Sequence, residues 1–191
     1  MPSSQEHNTA NPRSYDPISM SLHWLTALLV LAAFIMGPGG SEQRVYSAAK
    51  DFEREIHEVL GLAVFVLALL RLGWKPFART PQRPELPGWM TLAAQVVQGL
   101  LYVLLIATPI TAVLGAWLAG HPLTLGILGT VPPMLPEARG TGVLIAEIHT
   151  ILGDAVIWLA GLHAAAALAH HFLLADGVLL SMLPSGRTQR R

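Results

Sequence analysis

Cysteine is absent from the 191-residue chain. That excludes disulfides, thiolate metal ligands, iron–sulfur clusters and covalent c-type haem attachment. Charge is scarce as well. Asp, Glu, Lys and Arg make up 13% of the sequence, against about a quarter in a soluble globular domain. The basic and acidic side chains cancel to a formal net charge of zero, so nothing marks nucleic acid as a partner. Internal repeats and low-complexity segments are also lacking. The charge is missing in long blocks, and 52% of the residues are hydrophobic.

Those blocks run over about 18–36, 55–74, 89–119 and 141–174. The first stops at Gly37-Pro38-Gly39-Gly40, the second ends before Lys75-Pro76, and the third contains Pro109. A bilayer core takes roughly 20 apolar residues as a helix, so the first two blocks just span it and the last two tilt or extend beyond it. Unbroken apolar runs that cross lipid are helices. The fold class predicted is all-α: an integral membrane four-helix bundle occupying residues 18–175. Residues 1–17 read as a polar tail and not as a signal peptide, since no charged n-region leads to a cleavage site. Residues 176–191 read as a basic tail.

Four spans place both termini on one side. With cytoplasmic termini, the inner segments hold Arg13, Arg71, Lys75, Arg79, Arg83, Arg187, Arg190 and Arg191; the outer ones hold Arg44, Lys50, Arg54 and Arg139. The positive-inside rule therefore puts the termini in the cytoplasm of a multi-pass membrane protein. The connection 120–140, with four prolines, is a structured outer loop.

Six of eight histidines lie in or at the ends of the apolar blocks: His23, His57, His149, His163, His170 and His171. An ionisable residue within a span is a functional candidate, because leaving it unpaired in hydrocarbon is costly. His149 and His163 are 14 residues apart. At 3.6 residues per turn they fall about 40° from alignment and roughly 21 Å apart along the axis, one near each membrane surface. The alternation of helix direction then pairs His57 with His149 in an outer layer and His23 with His163 in an inner one. Two imidazoles from two helices per layer suit axial ligation of a flat macrocycle, so the pattern predicts two haem b groups. Gly61 and Gly153 stand one turn from His57 and His149 and leave room for a porphyrin. Arg71, 14 residues after His57, is assigned to the inner haem propionates and Arg54 to the outer ones. His170 is placed near the inner haem.

Several plainer readings compete. A zinc or copper site wants three or four ligands together. Arg71 also fits a positive-inside anchor, and His170 and His171 fit interfacial caps. Asp154 is expected to hydrogen-bond a neighbouring helix, or to serve a proton relay in a transporter or proton channel. Trp24, Trp74 and Trp89 fit the interfacial aromatic belt.

The segments Ser21-Leu22-His23-Trp24, Ile56-His57 with Arg71, and Gly161-Leu162-His163-Ala164-Ala165-Ala166-Ala167-Leu168-Ala169-His170-His171 resemble the bacterial cytochrome b561 family, small di-haem cytochromes of the inner membrane. The resemblance covers nearly the whole chain after the tail. It implies His23, His57, His149 and His163 as the haem ligands. It is strongest to the superoxide:ubiquinone oxidoreductase branch, which implies electrons taken from superoxide at the periplasmic side and passed through both haems to ubiquinone. In that case Lys50 and Arg54 are expected to steer the anion to the outer mouth, and His170, Lys75 and Arg71 are the candidates for a quinone site at the inner end. Related cytochromes serve as membrane anchors that pass electrons between a partner dehydrogenase or hydrogenase and quinone, a second function the same sequence fits. The outer loop with His121 is a weaker match.

Overall fold

A computed structural model describes residues 14–81 and 86–184. The outermost tail residues, including Arg13, Arg187, Arg190 and Arg191, and also Arg83, lie outside the described residues.

Helix α1 (Pro17–Met36) starts where the sequence offers both a cap and a compatible first residue. Asp16 accepts from Ser19 N at 3.0 Å and from Ser19 Oγ at 2.7 Å. Pro17 follows at a position whose N–H has no helical partner anyway. Asp16 also accepts from Trp74 Nε1 at 3.2 Å. Burial raises the Asp16 carboxyl, but these hydrogen bonds outweigh it and hold the group below the usual carboxylate range. A one-turn helix α2 (Glu42–Val45) crosses the first connection.

Helix α3 (Asp51–Trp74) begins one turn before the apolar block it contains. Hydropathy misses this turn because it is charged. Its Asp51 and Glu53 favour a helix start by facing the positive end of the helix dipole. Helix α4 (Gly88–Leu118) runs through Pro109, which removes one ladder hydrogen bond. Helix α5 (Arg139–Ala169) continues into a π turn, His170–Leu174. Ala175 (φ 50°) and Gly177 (φ 76°) then reverse the chain into α6 (Val178–Ser181).

Between α4 and α5 the chain forms a hairpin, β1 (Leu123–Thr124) with β2 (Thr130–Val131), in the register Leu123↔Val131 and Thr124↔Thr130. A 3-10 turn, Gly126–Leu128, closes it. Gly126 (φ 56°) and Gly129 (φ 97°) supply its left-handed positions.

The four long helices pack as two pairs, α1 with α3 and α4 with α5. Glycine sets the second pairing. A Cβ on Gly115 would stand 3.0 Å from Ala146 N, and one on Gly142 would overlap the backbone of Leu118 and Ala119. The two pairs meet through Val64, Ala68, Leu105 and Val156. This slab lies midway along the bundle, since Val64 sits between His57 and Arg71 and Val156 between His149 and His163. Each of the four is long and apolar enough to cross a membrane. Large apolar side chains such as Leu28, Ile35, Val103, Ile151 and Trp158 face outward, as lipid-exposed helices require.

Candidate haem-binding site

The histidines lie in two layers, one on either side of this slab. One end of the bundle carries the connections 37–50 and 119–138 (the loop end), and the other carries the termini (the terminal end). At the loop end the His57 and His149 ring centroids are 5.9 Å apart. At the terminal end His23 and His163 are 6.4 Å apart. Metal–imidazole bonds run about 2.0–2.1 Å, so two rings sharing one ion have centroids roughly 6 Å apart once the ring radii are added.

The loop-end pair is oriented by backbone. His57 Nδ1–H donates to the Ala33 carbonyl at 2.7 Å. That carbonyl belongs to the last turn of α1, and Gly37 N bonds Phe34 O instead, which leaves Ala33 O available. His149 Nδ1–H donates to the Thr108 carbonyl at 2.9 Å, beside Pro109. A proton held on Nδ1 leaves the Nε2 lone pair for a metal. Beside the two rings lies a cavity of about 410 Å³ lined by Gly61, Leu62, Phe65, Val113, Gly153 and Ile157 among others. The space beside Gly61 and Gly153 is open. Arg54, only 11% exposed, stands next to Glu58 of the cavity wall, and its Nε is buried without a partner. Room for a flat group and two prepared nitrogens fit haem, and the unpartnered Nε of Arg54 is the one donor of that side chain still free for a propionate.

The terminal-end pair is arranged differently. Arg71 Nη2 donates to His23 Nδ1 at 3.2 Å. A neutral imidazole that accepts at Nδ1 carries its proton on Nε2, so ligation there requires Arg71 to leave the ring. Arg71 also stacks over Tyr102 at 5.5 Å, and Lys75 over the same ring at 5.9 Å. His170 Nδ1 donates to the Asp176 carboxylate. Burial raises the Asp176 carboxyl, and the His170 contact and the Val178 N–H outweigh it and hold it low. His171 packs on Phe172. Among the described residues no three metal-ligating side chains gather as an ion site would need.

The expected bare cations of the loop end are not bare. Lys50 is bound to Glu53 at 2.5 Å, and Arg54 to Asp51 at 2.9 Å and Glu58 at 3.0 Å. The acidic turn that starts α3 neutralises the field that steering would use. Asp154, expected to reach another helix, is exposed. Trp24 Nε1 donates to Met182 O at 2.8 Å, so it fastens α6 to α1 as well as sitting near the interface.

A cluster that sequence reading missed closes the loop end. His121 Nε2 meets Glu42 Oε1 at 2.8 Å, and Arg139 Nη2 meets Glu42 Oε2 at 3.2 Å. The His121 ring stacks on Tyr46 at 3.4 Å, and Arg54 lies over Tyr46 at 5.3 Å. The hydrogen bond from His121 leads the contacts that hold the Glu42 carboxyl below its ordinary value. Burial, reinforced by Glu58, pushes the Tyr46 phenol up to about 12. No periodicity signals this cluster, because its members come from two connections and the first turns of α3 and α5.

Comparison with known proteins agrees with this geometry. A family profile described as prokaryotic cytochrome b561 matches residues 14–185. The chain is 28% identical over 176 residues to cytochrome b561 homolog 2 of Escherichia coli (strain K12), covering 92% of this chain and 94% of that one. It is 30% identical over 175 residues to cytochrome b562 of Cereibacter sphaeroides, covering 88% and 94%. It is 29% identical over 182 residues to a protein named probable superoxide oxidase CybB of Yersinia pestis, covering 92% and 98%. With four membrane helices, facing histidine pairs and a profile match across nearly its whole length, the chain belongs to the prokaryotic cytochrome b561 family, whose members bind haem b and transfer electrons across membranes.

Proposed function

We propose that the chain carries electrons through two haem b groups, from superoxide at the outer, periplasmic face of the bacterial inner membrane to ubiquinone. The observation that carries the two-haem reading is the pair of facing histidine layers, one at each end of the bundle. His57 and His149 would hold one haem, with Arg54 at its propionates; His23 and His163 would hold the other, with Arg71. Bound haem supplies a one-electron couple whose potential its axial imidazoles and neighbouring charges set. The central slab of Val64, Ala68, Leu105 and Val156 excludes water between the layers.

Ubiquinone reduction consumes two electrons and two protons, so its site needs a proton-handling group. His170 fits at the terminal end, with Nδ1 held by Asp176 and Nε2 left for a substrate oxygen. Lys75 stands near the same end, over Tyr102. This reading takes the terminal end as cytoplasmic, in line with the positive-inside count.

Superoxide as donor is supported by similarity to the protein named a probable superoxide oxidase. The paired charges of Lys50 and Arg54 favour a second reading, in which a partner subunit delivers electrons at the loop end and this chain is its quinone-coupled anchor. Stopped-flow mixing of purified protein with superoxide separates the two. Rapid haem reduction, followed by reoxidation when ubiquinone is added, supports superoxide oxidation. Haems that stay oxidised under superoxide but are reduced through a co-purifying subunit support the anchor.

A further inference from the structure

The loop-end hairpin has a composition unusual for a water-exposed connection. From Pro122 to Pro136 it contains no charged residue. Its two faces have different environments. Leu123 and Leu125 turn inward and line the cavity beside His57 and His149. At the tip, Ile127 is 103% exposed and Leu128 is 76% exposed. Two adjacent large aliphatic side chains, fully presented, are costly in water and well suited to acyl chains.

The hairpin also lies low on the bundle. Thr124 N donates to Glu58 Oε2 at 2.5 Å, and Arg54 Nη1 donates to Thr124 Oγ1 at 3.3 Å. Glu58 is seven residues into α3, about 10 Å below the helix start at 1.5 Å per residue. The 3-10 turn packs against α3, whose Val59 and Val66 face outward. The apolar tip is therefore continuous with the lipid-facing surface of the bundle.

Backbone polarity normally keeps a loop out of lipid. Here the tip closes most of its own hydrogen bonds. Leu125 N donates to Gly129 O at 2.8 Å, Leu128 N to Leu125 O at 3.1 Å, and Gly129 N to Gly126 O at 3.1 Å. Three of the five N–H groups from Leu125 to Gly129 are thus satisfied within the hairpin.

We infer that the hairpin Leu123–Val131 is seated in the membrane, its tip residues Ile127 and Leu128 inserted among the lipids of the leaflet at the loop end. Lipid then holds the inner face, Leu123 and Leu125, over the cavity. The ties to Arg54 and Glu58 set the depth of the seat, and the glycines at 126 and 129 let the tip turn outward. This inference rests on the membrane-spanning fold and not on which donor or acceptor the protein uses.

The chain has no cysteine, so a single introduced thiol can be labelled cleanly. Full-length haem-loaded protein carrying Ile127→Cys or Leu128→Cys is modified with a nitroxide and reconstituted into phosphatidylethanolamine–phosphatidylglycerol vesicles. Collision rates are read by power-saturation electron paramagnetic resonance with molecular oxygen, which concentrates in lipid, and with a water-soluble nickel chelate. Ala48→Cys, at an exposed position of the first connection, is the aqueous reference. Seating in lipid predicts that both tip labels collide with oxygen several-fold more, and with the chelate several-fold less, than the label at position 48. Tip labels as open to the chelate as that reference would overturn the proposal. So would tip labels shielded from both reagents, the signature of a second copy or a protein partner covering the tip.

Discussion

At the scale of single residues, the prepared nitrogens distinguish the loop-end histidine pair from ordinary buried imidazoles. His57 and His149 each give Nδ1–H to a carbonyl, on Ala33 and Thr108, so the ring orientation is fixed without the metal. Supporting groups of this kind are worth about 10–100-fold in metal affinity. Glycines test whether the adjoining space is for haem. Because the volume beside Gly61 and Gly153 is open, Gly153→Leu should leave the helices folded, with unchanged far-ultraviolet circular dichroism. It should still cut the haem content of purified protein, read by pyridine haemochrome, by about half. Full haem content in Gly153→Leu would show that the space serves something else. Arg71 presents the complementary case. Removing a cation near an iron favours the ferric form, so Arg71→Gln should lower the potential of one haem and leave the other unmoved in a redox titration.

At the scale of elements, the tight contacts lie between α4 and α5. A side chain at Gly142 overlaps the backbone of Leu118 and Ala119, and overpacking of this kind costs about 1–3 kcal/mol. Gly142→Ala should therefore lower the thermal midpoint in detergent by several degrees, at about 2–4 °C per kcal/mol for a chain of this size. Gly140→Ala, with open space around it, should not. The connections answer to pH. Glu42 is held below its ordinary value by His121 and Arg139, so its contribution is present above the ordinary glutamate value of about 4.3 and is lost as pH falls through the depressed one. Hydrogen exchange of residues 120–138, normalised to intrinsic rates, should stay slow at neutral pH and quicken only below about pH 4.3. Glu42→Gln should quicken it at neutral pH and remove the acid dependence.

The long helices were legible in the sequence because lipid demands continuous apolar runs, and the histidine layers because a 14-residue spacing returns to one helix face. The first turn of α3 was not, since its charges hide it from hydropathy. Nor were the pairing of Lys50 and Arg54 with carboxylates and the stacking of His121 on Tyr46. Contacts made through connections follow no period. The carbonyl partners of His57 and His149 left only indirect marks, the end of α1 and Pro109.

At the scale of the molecule, two helix pairs joined by a thin central slab carry two facing histidines from different helices toward each end. On the proposed two-haem reading, that arrangement would divide a transmembrane electron path into two one-electron stations. The most direct test is redox titration of the haem spectrum in four single variants. His57→Ala and His149→Ala should each remove the same spectral component and leave one haem with the other midpoint. His23→Ala and His163→Ala should each remove the other component. Loss of the same haem from His57→Ala and His163→Ala would contradict the two-layer account.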